Sequence, residues 1–364
     1  MARAVDLLRR RPRGWDSLMI NTALALARVP GPLRLPVHVT IEPVNTCNAR
    51  CPICETGNAS LERRRGLLEV EAYRAFIDHI APHANSLMFY FMGEPFLHPR
   101  ACDMIRHARD RGLFVETCTN GDLVDPLAVL ESDVNRISFQ IGGMTQASHG
   151  VYRVGSRLER VMGNLEALLE ARRRRPDSQV QVEVGLIVMA QNEAEIPRFQ
   201  AWAKAIGVDR AHLVQPAVRT LEEARVYLPR DPGHWPYDPQ ALQRGQLRPR
   251  VVPHNRCTWL WNSVVVNWNG DLVPCCRDPH GRHVMGNVFA QPLAEIWNGP
   301  RLTAFRRQVA TAQAGVDICR LCAGFGVPHL QSIHRGSRNA TSIGGGWREA
   351  APIPQSQQQA PPTP

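Results

Sequence analysis

The residues best suited to chemistry are three cysteines that lie within eight positions of one another, in the stretch 45-NTCNARCPICETG-57. Three residues separate Cys47 from Cys51, and two separate Cys51 from Cys54. Such close spacing in a large chain indicates a metal site rather than disulfides. A cube of four irons needs one outside ligand per iron, so three thiolates would leave one iron open to a substrate or cofactor. A zinc site, or three unrelated thiols, is the alternative interpretation.

A second group of cysteines lies further along the chain. Cys257 is followed by Gly270 and Cys275, and later by the pair Cys319 and Cys322. The Asn-Gly pair that contains Gly270 separates two apolar runs, which predicts a hairpin with cysteines at its two ends. The late Cys-x2-Cys pair would close this site with four thiolates.

Other residues leave alternatives open at this second site. Cys276 is adjacent to Cys275 and could replace it as a ligand, although the spacing from Gly270 favours Cys275. His280 and His283 could instead serve a zinc ribbon. Cys102 and Cys118 fall on a predicted helix and a predicted strand, where we expect buried core thiols.

The elements that must position these residues alternate between strand and helix. Short apolar runs predict six strands, at 37–42, 86–91, 113–117, 136–140, 179–189 and 211–214. Apolar residues at three- and four-residue steps predict helices at about 68–80, 101–110, 126–132, 157–175 and 193–206. This alternation predicts a parallel sheet, either doubly wound or part of a barrel, with its chemistry in the loops after the strands. The three-cysteine stretch is the first such loop.

Composition limits the remaining choices. The chain has 364 residues with 44% hydrophobic content, enough for at least one large core. The formal net charge of +10 comes from scattered arginines, and the run 172-RRRR-175 ends a predicted helix, so we expect no nucleic-acid partner. We find no apolar run near the roughly 18 residues that cross a bilayer, so we expect no membrane partner. Close cysteine spacings without a credible export signal favour the reducing cytosol.

The same features divide the chain into five predicted parts. The N-terminal part contains 17-SLMINTALALA-27, interpreted as an amphipathic helix on the main domain rather than a signal peptide. The five parts are a basic extension (1–35), a barrel domain (36–228), a Pro-rich linker (229–249), a cysteine-rich auxiliary domain (250–335) and a disordered tail (336–364).

The cysteine triplet after the first strand of a six-fold strand and helix repeat resembles the radical S-adenosylmethionine (radical SAM) superfamily. In that family the open iron of a 4Fe-4S cluster binds S-adenosyl-L-methionine, and one electron splits it into methionine and a 5'-deoxyadenosyl radical. The resemblance implies a partial (βα)6 TIM-like barrel, and it implies Cys47, Cys51 and Cys54 as cluster ligands.

Further motifs in the expected order extend the resemblance to cofactor-binding residues. The stretch 92-MGEP-95 is similar to the family's Gly-Gly-Glu-Pro motif, which implies that Gly93, Glu94 and Pro95 hold the methionine amino group, with Glu94 as acceptor. Met92 replaces the first glycine. The turn 119-TNG-121 also matches.

Two more positions are carried over from the family pattern. Ser138 matches the family's Ser-x-Asp-Gly on the ribose side, whereas Gln140 replaces the aspartate. Arg153 matches an arginine near the cofactor carboxylate. Ile53 occupies a position that is more often aromatic, which implies aliphatic packing on the adenine.

The second cysteine group is similar to the SPASM and twitch extensions of radical SAM enzymes, which carry auxiliary 4Fe-4S clusters. The stretches 286-GNV-288 and 295-EIWN-298 also recur there. A full SPASM domain has three further cysteines, which are not found after Cys322, so we expect one auxiliary cluster with complete protein ligation and an electron-transfer role.

A radical cofactor beside a closed redox cluster favours net oxidation of a substrate. We expect a small sugar- or cyclitol-like molecule, with a SPASM-type peptide maturase as the alternative. A non-enzymatic zinc or iron-sulfur protein is the distant alternative. The expected partners are a small-molecule or peptide substrate and an electron donor such as a flavodoxin or ferredoxin. No catalytic base is assigned, because Asp209 and His212 near the sixth strand are more often structural in such positions.

Overall fold

The computed structural model describes residues 12–331 of the chain. The predicted tail 336–364 and the start of the predicted N-terminal extension therefore lie outside the described residues. Among the described residues, no helix is both long and apolar enough to cross a lipid bilayer.

Six parallel strands form the main sheet, and each lies within or beside a predicted strand. They are β1 His38–Ile41, β2 Ser86–Phe89, β3 Phe114–Thr119, β4 Arg136–Ile141, β5 Gln181–Ile187 and β6 Arg210–Val214. Each strand pairs in parallel with the next in chain order. This order is that of an open barrel segment, which confirms the predicted α/β fold of parallel strands.

Helices cover the outside of this sheet and the C-terminal region. All five helices predicted between residues 68 and 206 are confirmed, whereas the short α5 and the individual helices α8 to α11 were not predicted. The helices are α1 Trp15–Leu26, α2 Val70–Ile80, α3 Ala101–Asp110, α4 Pro126–Glu131, α5 Gln146–Tyr152, α6 Leu158–Arg173, α7 Ile196–Ile206, α8 Leu221–Tyr227, α9 Pro239–Gln243, α10 Leu293–Trp297 and α11 Pro300–Ala312.

Local chemistry explains where several helices begin. The Glu69 side chain accepts a hydrogen bond from the backbone N–H of Ala72 and caps α2. Asp125 caps α4 in the same way, and Pro126 occupies the first helical position, where its missing N–H costs nothing. In α1, Asn21 is fully buried, and two hydrogen bonds between its amide and the backbone of Arg34, both 2.9 Å long, satisfy its polar atoms.

Three C-terminal strands continue the main sheet on its β1 side. Strand β7 (Ser263–Val266) pairs in parallel with β1, and β8 (Asp271–Val273) and β9 (Gly286–Asn287) follow in antiparallel order. The β7–β8 turn contains Gly270 at φ 87°, which confirms the predicted hairpin. The described residues thus form one nine-stranded sheet that joins the barrel region to the cysteine-rich region.

The two faces of the sheet differ in polarity. In β4, Ile137, Phe139 and Ile141 are fully buried against the outer helices. The alternate residues Arg136 and Ser138 are partly exposed on the inner, concave face, as the two-residue side-chain period of a strand requires. The apolar core therefore lies between sheet and helices, and the inner face is free to carry polar groups.

Candidate functional site

The three-cysteine loop follows β1 and is tightly folded. Cys51 is buried, and the backbone N–H of Cys54 donates to the carbonyl of Cys51 at 3.2 Å. A Cβ at Gly57 would lie 2.4 Å from the Cys51 nitrogen, so only glycine allows the chain to return this closely. Burial raises the pKa of Cys47 to about 11, and the neighbouring thiols of Cys51 and Cys54 contribute to that rise. The three cysteines therefore lie on one tightly folded loop, and their role as metal ligands stays a prediction.

Hydrogen-bond donors converge on these sulfurs. The Asn120 side-chain amide lies 3.6 Å from the sulfur of Cys47, and the backbone N–H of Ala49 lies 3.4 Å from it. The Arg153 guanidinium donates to the sulfur of Cys51 at 3.6 Å. Hydrogen bonds to sulfur ligands set the potential of an iron-sulfur cluster, so this donor set suits a cluster.

The Gly-Glu-Pro turn after β2 lies directly against the three-cysteine loop. Gly93 has φ +90°, and a Cβ there would lie 2.4 Å from the Val44 carbonyl oxygen and 2.6 Å from that of Thr46. The backbone N–H of Glu94 donates to the same Thr46 carbonyl at 2.9 Å. Any residue other than glycine would force the turn away from the loop that carries Cys47.

The Glu94 carboxylate is only 2% exposed and holds the following loop in place. It accepts from the Thr119 hydroxyl at 2.7 Å, from the Asn120 backbone N–H at 2.8 Å and from that of Phe96 at 3.3 Å. Burial raises the pKa of Glu94 to about 7, against these hydrogen bonds. The carboxylate predicted to accept from a cofactor amino group thus has three protein donors, and it positions Asn120 beside Cys47.

The remaining predicted cofactor residues lie around the same opening. The Arg153 Nε is buried without a hydrogen-bond partner among residues 12–331, so it is a donor available to a carboxylate. Ser138 accepts from the Gln140 amide at 2.8 Å on the inner face of β4. Ile53 is buried in an apolar cluster that includes Tyr152. These groups fit S-adenosylmethionine, which offers a carboxylate, a ribose and an adenine ring.

The second cysteine group assembles from three separate segments. Cys257 precedes β7, Cys275 follows β8, and Cys319 and Cys322 flank a tight turn closed by a 3.1 Å backbone hydrogen bond. Burial raises the pKa of Cys257 and of Cys319 to about 12 each, and the thiol of Cys275 adds to both shifts. The hairpin therefore brings its two end cysteines to the late pair.

The alternatives at this site stay open, and the structure shows what surrounds each of the residues concerned. Cys276 hydrogen-bonds to Cys275, which lowers the pKa of Cys276, and it lies near Tyr90 on the inner face. His280 stands 3.9 Å from Glu62, and His283 lies 2.7 Å from Asp317, so both imidazoles have acidic neighbours. Across residues 12–331, no three His, Cys, Asp or Glu side chains gather around one metal-ion position.

A short segment, residues 60–66, connects the two cysteine sites and is called the bridging segment. Its Arg63 forms two hydrogen bonds, 2.7 and 2.6 Å long, to the fully buried Glu42 at the end of β1. Arg63 also donates to the Pro279 carbonyl at 2.6 Å, a few residues after Cys275 of the second cysteine group. On the surface, Glu62 pairs with Arg282. The bridging segment fixes the loop after Cys54 to the cysteine-rich region.

The inner face also carries residues that sequence reasoning did not assign. Five polar side chains from successive strands contact one another there. One of them, His212, was interpreted as structural from the sequence. They are Tyr90, Glu116, Arg136, Glu183 and His212. The only signal in the sequence is a charged residue at alternate positions of apolar strands, and strand register is needed to bring such residues together.

The comparisons with known proteins decide the family. The model of the Radical SAM superfamily matches residues 41–203, and that of SPASM, an iron-sulfur cluster-binding domain, matches residues 257–323. The chain belongs to the radical SAM superfamily. Both family domains imply 4Fe-4S clusters, and the first implies S-adenosyl-L-methionine as well.

Relatives of this radical SAM chain differ widely in what their names state. It is 26% identical over 317 residues, 76% of this chain and 87% of the relative, to the AdoMet-dependent heme synthase of Methanosarcina barkeri. It is 34% identical over 62 residues, 17% of this chain and 25% of the relative, to the S-adenosyl-L-methionine-dependent 2-deoxy-scyllo-inosamine dehydrogenase of Niallia circulans. The structure of Streptococcus suis SuiB bound to precursor peptide SuiA is similar in fold, with a TM-score of 0.58, 12% identity and coverage of 84% of this chain and 75% of SuiB.

Proposed function

We propose that this radical SAM enzyme oxidises a small polar molecule of the sugar or cyclitol type. The observation that carries the proposal is the polarity of the barrel's inner face. Charged side chains such as Glu116, Arg136 and Glu183 lie there, whereas the outer face of the sheet is apolar. These groups pair with one another, and their remaining hydrogen-bonding capacity suits the hydroxyl groups of a polar substrate better than an apolar one.

The proposed cofactor site lies where the Gly-Glu-Pro turn meets the three-cysteine loop. When bound there, the cluster and S-adenosyl-L-methionine supply a 5'-deoxyadenosyl radical that removes a hydrogen atom from the substrate. Gly93 and Pro95 shape the turn for the methionine amino group, and Glu94 holds that turn against the next loop. Arg153 offers its buried Nε to the carboxylate, and Ser138 faces the ribose side.

The proposed auxiliary site completes the oxidation. Loss of a hydrogen atom leaves a substrate radical, which must lose one proton and one electron to give the oxidised product. Cys257, Cys275, Cys319 and Cys322 would hold an auxiliary 4Fe-4S cluster with no open iron, so it can accept that electron but cannot bind substrate. A flavodoxin or ferredoxin would exchange electrons with the clusters. The close spacing of the cysteines suits metal ligation rather than disulfides, which favours a reducing cytosol as the location.

A peptide substrate is the second candidate. It is favoured by the likeness in fold to SuiB bound to precursor peptide SuiA. An enzyme that modifies a peptide would use the same two clusters and the same inner face, so the two candidates differ in substrate and not in the proposed chemistry.

The deciding experiment is anaerobic reconstitution with iron and sulfide, reduction with dithionite and measurement of 5'-deoxyadenosine. We expect 5'-deoxyadenosine from the intact chain, and deuterium transfer into it from a specifically labelled sugar or cyclitol substrate. The matched control is Cys102→Ala, which removes a thiol outside both cysteine groups and should retain cleavage. Failure of the intact, iron-loaded chain to cleave the cofactor would contradict the proposal, and deuterium transfer only from a peptide would favour the second candidate.

A further inference from the structure

The sulfur of Cys47 has hydrogen-bond donors on two sides. Within the described part of the chain, two N–H groups lie within 3.6 Å of it. The backbone N–H of Ala49 lies 3.4 Å away and belongs to the three-cysteine loop itself. The side-chain amide of Asn120 lies 3.6 Å away and belongs to the loop after β3. A backbone donor persists whatever the side chain is, so Asn120 is the donor that this particular sequence adds.

Neighbouring groups fix which end of the Asn120 amide faces the sulfur. The Asn120 Oδ1 accepts from the backbone N–H of Asp122 at 3.0 Å. The amide nitrogen donates to the Asn48 Oδ1 at 2.8 Å. Asn48 presents oxygen at this point because its own amide nitrogen donates to the Asp122 carboxylate at 3.2 Å. A rotated Asn120 amide would set oxygen against oxygen and N–H against N–H, so the nitrogen lies on the Cys47 side and has a second hydrogen for the sulfur.

The position of Asn120 is fixed from both sides of its loop. Its backbone N–H donates to the buried Glu94 carboxylate at 2.8 Å. On the other side, the Asp122 carboxylate accepts from the backbone N–H of Arg157 at 3.2 Å. Asn120 itself is only 5% exposed. Little water competes for its amide hydrogens there, so their electrostatic effect on the sulfur is stronger than it would be at the surface.

The other groups around this sulfur oppose negative charge on it. Glu94 and the thiols of Cys51 and Cys54 all contribute to the raised pKa of Cys47. In the free protein the Cys47 thiol faces the Asn48 Oδ1 at 3.9 Å. A cysteine sulfur bound to iron has lost its proton and can only accept. The Asn120 amide is then the side-chain contact that favours negative charge at Cys47.

We propose that Asn120 raises the reduction potential of the cluster that Cys47, Cys51 and Cys54 would hold, by donating a hydrogen bond to the Cys47 sulfur. This inference rests on the proposed function, which places a 4Fe-4S cluster on these thiols. Reduction adds one electron from the electron donor and breaks no bond. Part of the added negative charge resides on the sulfur ligands, so a donor stabilises the reduced cluster more than the oxidised one. Asn120 is thus a positioning residue that acts through Cys47.

Two substitutions and one control separate the hydrogen bond from the shape of the loop. Asn120→Asp keeps the oxygen that accepts from Asp122 but replaces the amide donor with a second oxygen. Asn120→Ala removes both contacts. Asn164→Ala is the matched control, because the Asn164 amide holds the same loop from α6. It donates to the carbonyls of Gly121 and Asp122 at 2.8 and 3.3 Å.

The measurement is a redox titration of the reconstituted, full-length protein, followed by electron paramagnetic resonance. The signal of the open-iron cluster is recognised by its change on addition of S-adenosyl-L-homocysteine, which has the amino and carboxylate groups of the cofactor but yields no radical. We expect Asn120→Ala to lower the equilibrium constant for reduction about ten-fold, which is about 59 mV for one electron. Asn120→Asp adds a negative charge and should lower it further. Asn164→Ala should titrate like the unaltered chain.

Several results would overturn the inference. Equal potentials in the unaltered chain and the Asn120 variants would do so, as would an equal shift in Asn164→Ala. If one Asn120 variant takes up no cluster at this site, the other decides. Loss of the cluster from both, measured by iron analysis, would make Asn120 a residue for cluster assembly and refute its role in the potential.

The proposed function is tested separately by release of 5'-deoxyadenosine from the unaltered chain. A shifted potential in the Asn120 variants without that release would refute the radical chemistry but not the role of Asn120. Release of 5'-deoxyadenosine with unchanged potentials would refute the role of Asn120 but not the radical chemistry. An unaltered chain that takes up no iron would refute both.

Discussion

The thiols of the three-cysteine loop come from one short stretch of the chain, whereas those of the four-cysteine site come from three segments that are distant in sequence. Cys47, Cys51 and Cys54 lie on one loop whose backbone folds on itself, with a glycine at its return. Cys257 and Cys275 come from the two ends of a hairpin and need a third segment to complete their group. The first site is thus largely local, whereas the second exists only when the C-terminal region is folded.

This difference also explains what each site can do. Asn120 and Arg153 donate to the sulfurs of the local loop, and the Gly-Glu-Pro turn packs directly against it. The distributed site surrounds its centre from three directions. In the proposed function, a fourth thiolate would remove the open position, so completeness of ligation would separate a site for chemistry from one for electrons.

The largest expected effect comes from removing the local site. In a Cys47→Ala, Cys51→Ala, Cys54→Ala variant we expect no 5'-deoxyadenosine and a fall from about eight irons per chain to about four. Iron and sulfide analysis with a cleavage assay measures both. If the variant still cleaved the cofactor, the three-cysteine loop would not be the site of cleavage. If the variant lost all its iron, the two sites would not be independent of each other.

The distributed site is tested by two adjacent thiols. Cys275→Ala should lower the iron content to about four per chain while the three-cysteine loop keeps its cluster. Cys276→Ala is the matched control and should retain about eight irons per chain. The thiol of Cys275 contributes to the raised pKa of both Cys257 and Cys319, so Cys275 lies near both of them. The reverse pattern in iron analysis and electron paramagnetic resonance would assign the ligand to Cys276.

The connection between the sites predicts a loss of stability rather than of iron. Arg63→Ala leaves the fully buried Glu42 carboxylate without its guanidinium, which should lower the free energy of unfolding by about 3–5 kcal/mol. Chemical denaturation of the chain measures the change. Arg65→Ala, at an exposed neighbouring position, should have little effect. An equal loss in both variants would mean that the buried pair is not what stabilises the bridging segment.

The smallest expected effect concerns the outer contact of the same segment. Glu62→Ala removes an ion pair with Arg282 in which both side chains are 52% exposed. Exposed pairs are screened by water and salt, so the denaturation midpoint should hardly move, and still less at high salt. A large shift at low salt would show that the surface pair, and not Arg63, holds the two regions together.

Much of the fold could be predicted from the sequence because its signals are local. Strand β4 alternates polar and apolar residues, and α2 begins after an acidic cap, so both follow from neighbouring residues alone. Helix α5 has only seven residues and no regular apolar spacing, which is why it was not predicted. The pairing of β7 with β1 joins distant parts of the chain, and no local pattern encodes it.

The same distinction applies to the site. The spacing of the cysteines within each motif is a sequence property, so both groups could be proposed directly. The five contacting polar side chains of the inner face depend on register, since only the pairing of Glu116 with Arg136 and of Gly185 with His212 brings them together. His212 was therefore interpreted as structural, because one isolated histidine in a sequence says nothing about a carboxylate on the preceding strand.

The parallel pairing of β7 with β1 has a consequence for how the protein avoids aggregation. The whole of β1, His38–Ile41, lies between β2 and β7 and presents no free edge. A chain ending at residue 249 would expose the N–H and C=O groups of β1, next to the apolar side chains of Val39 and Ile41. Such an edge is a template for pairing with another molecule. The cysteine-rich region therefore acts as an edge cover, and separating it from the barrel should produce self-association rather than a smaller enzyme.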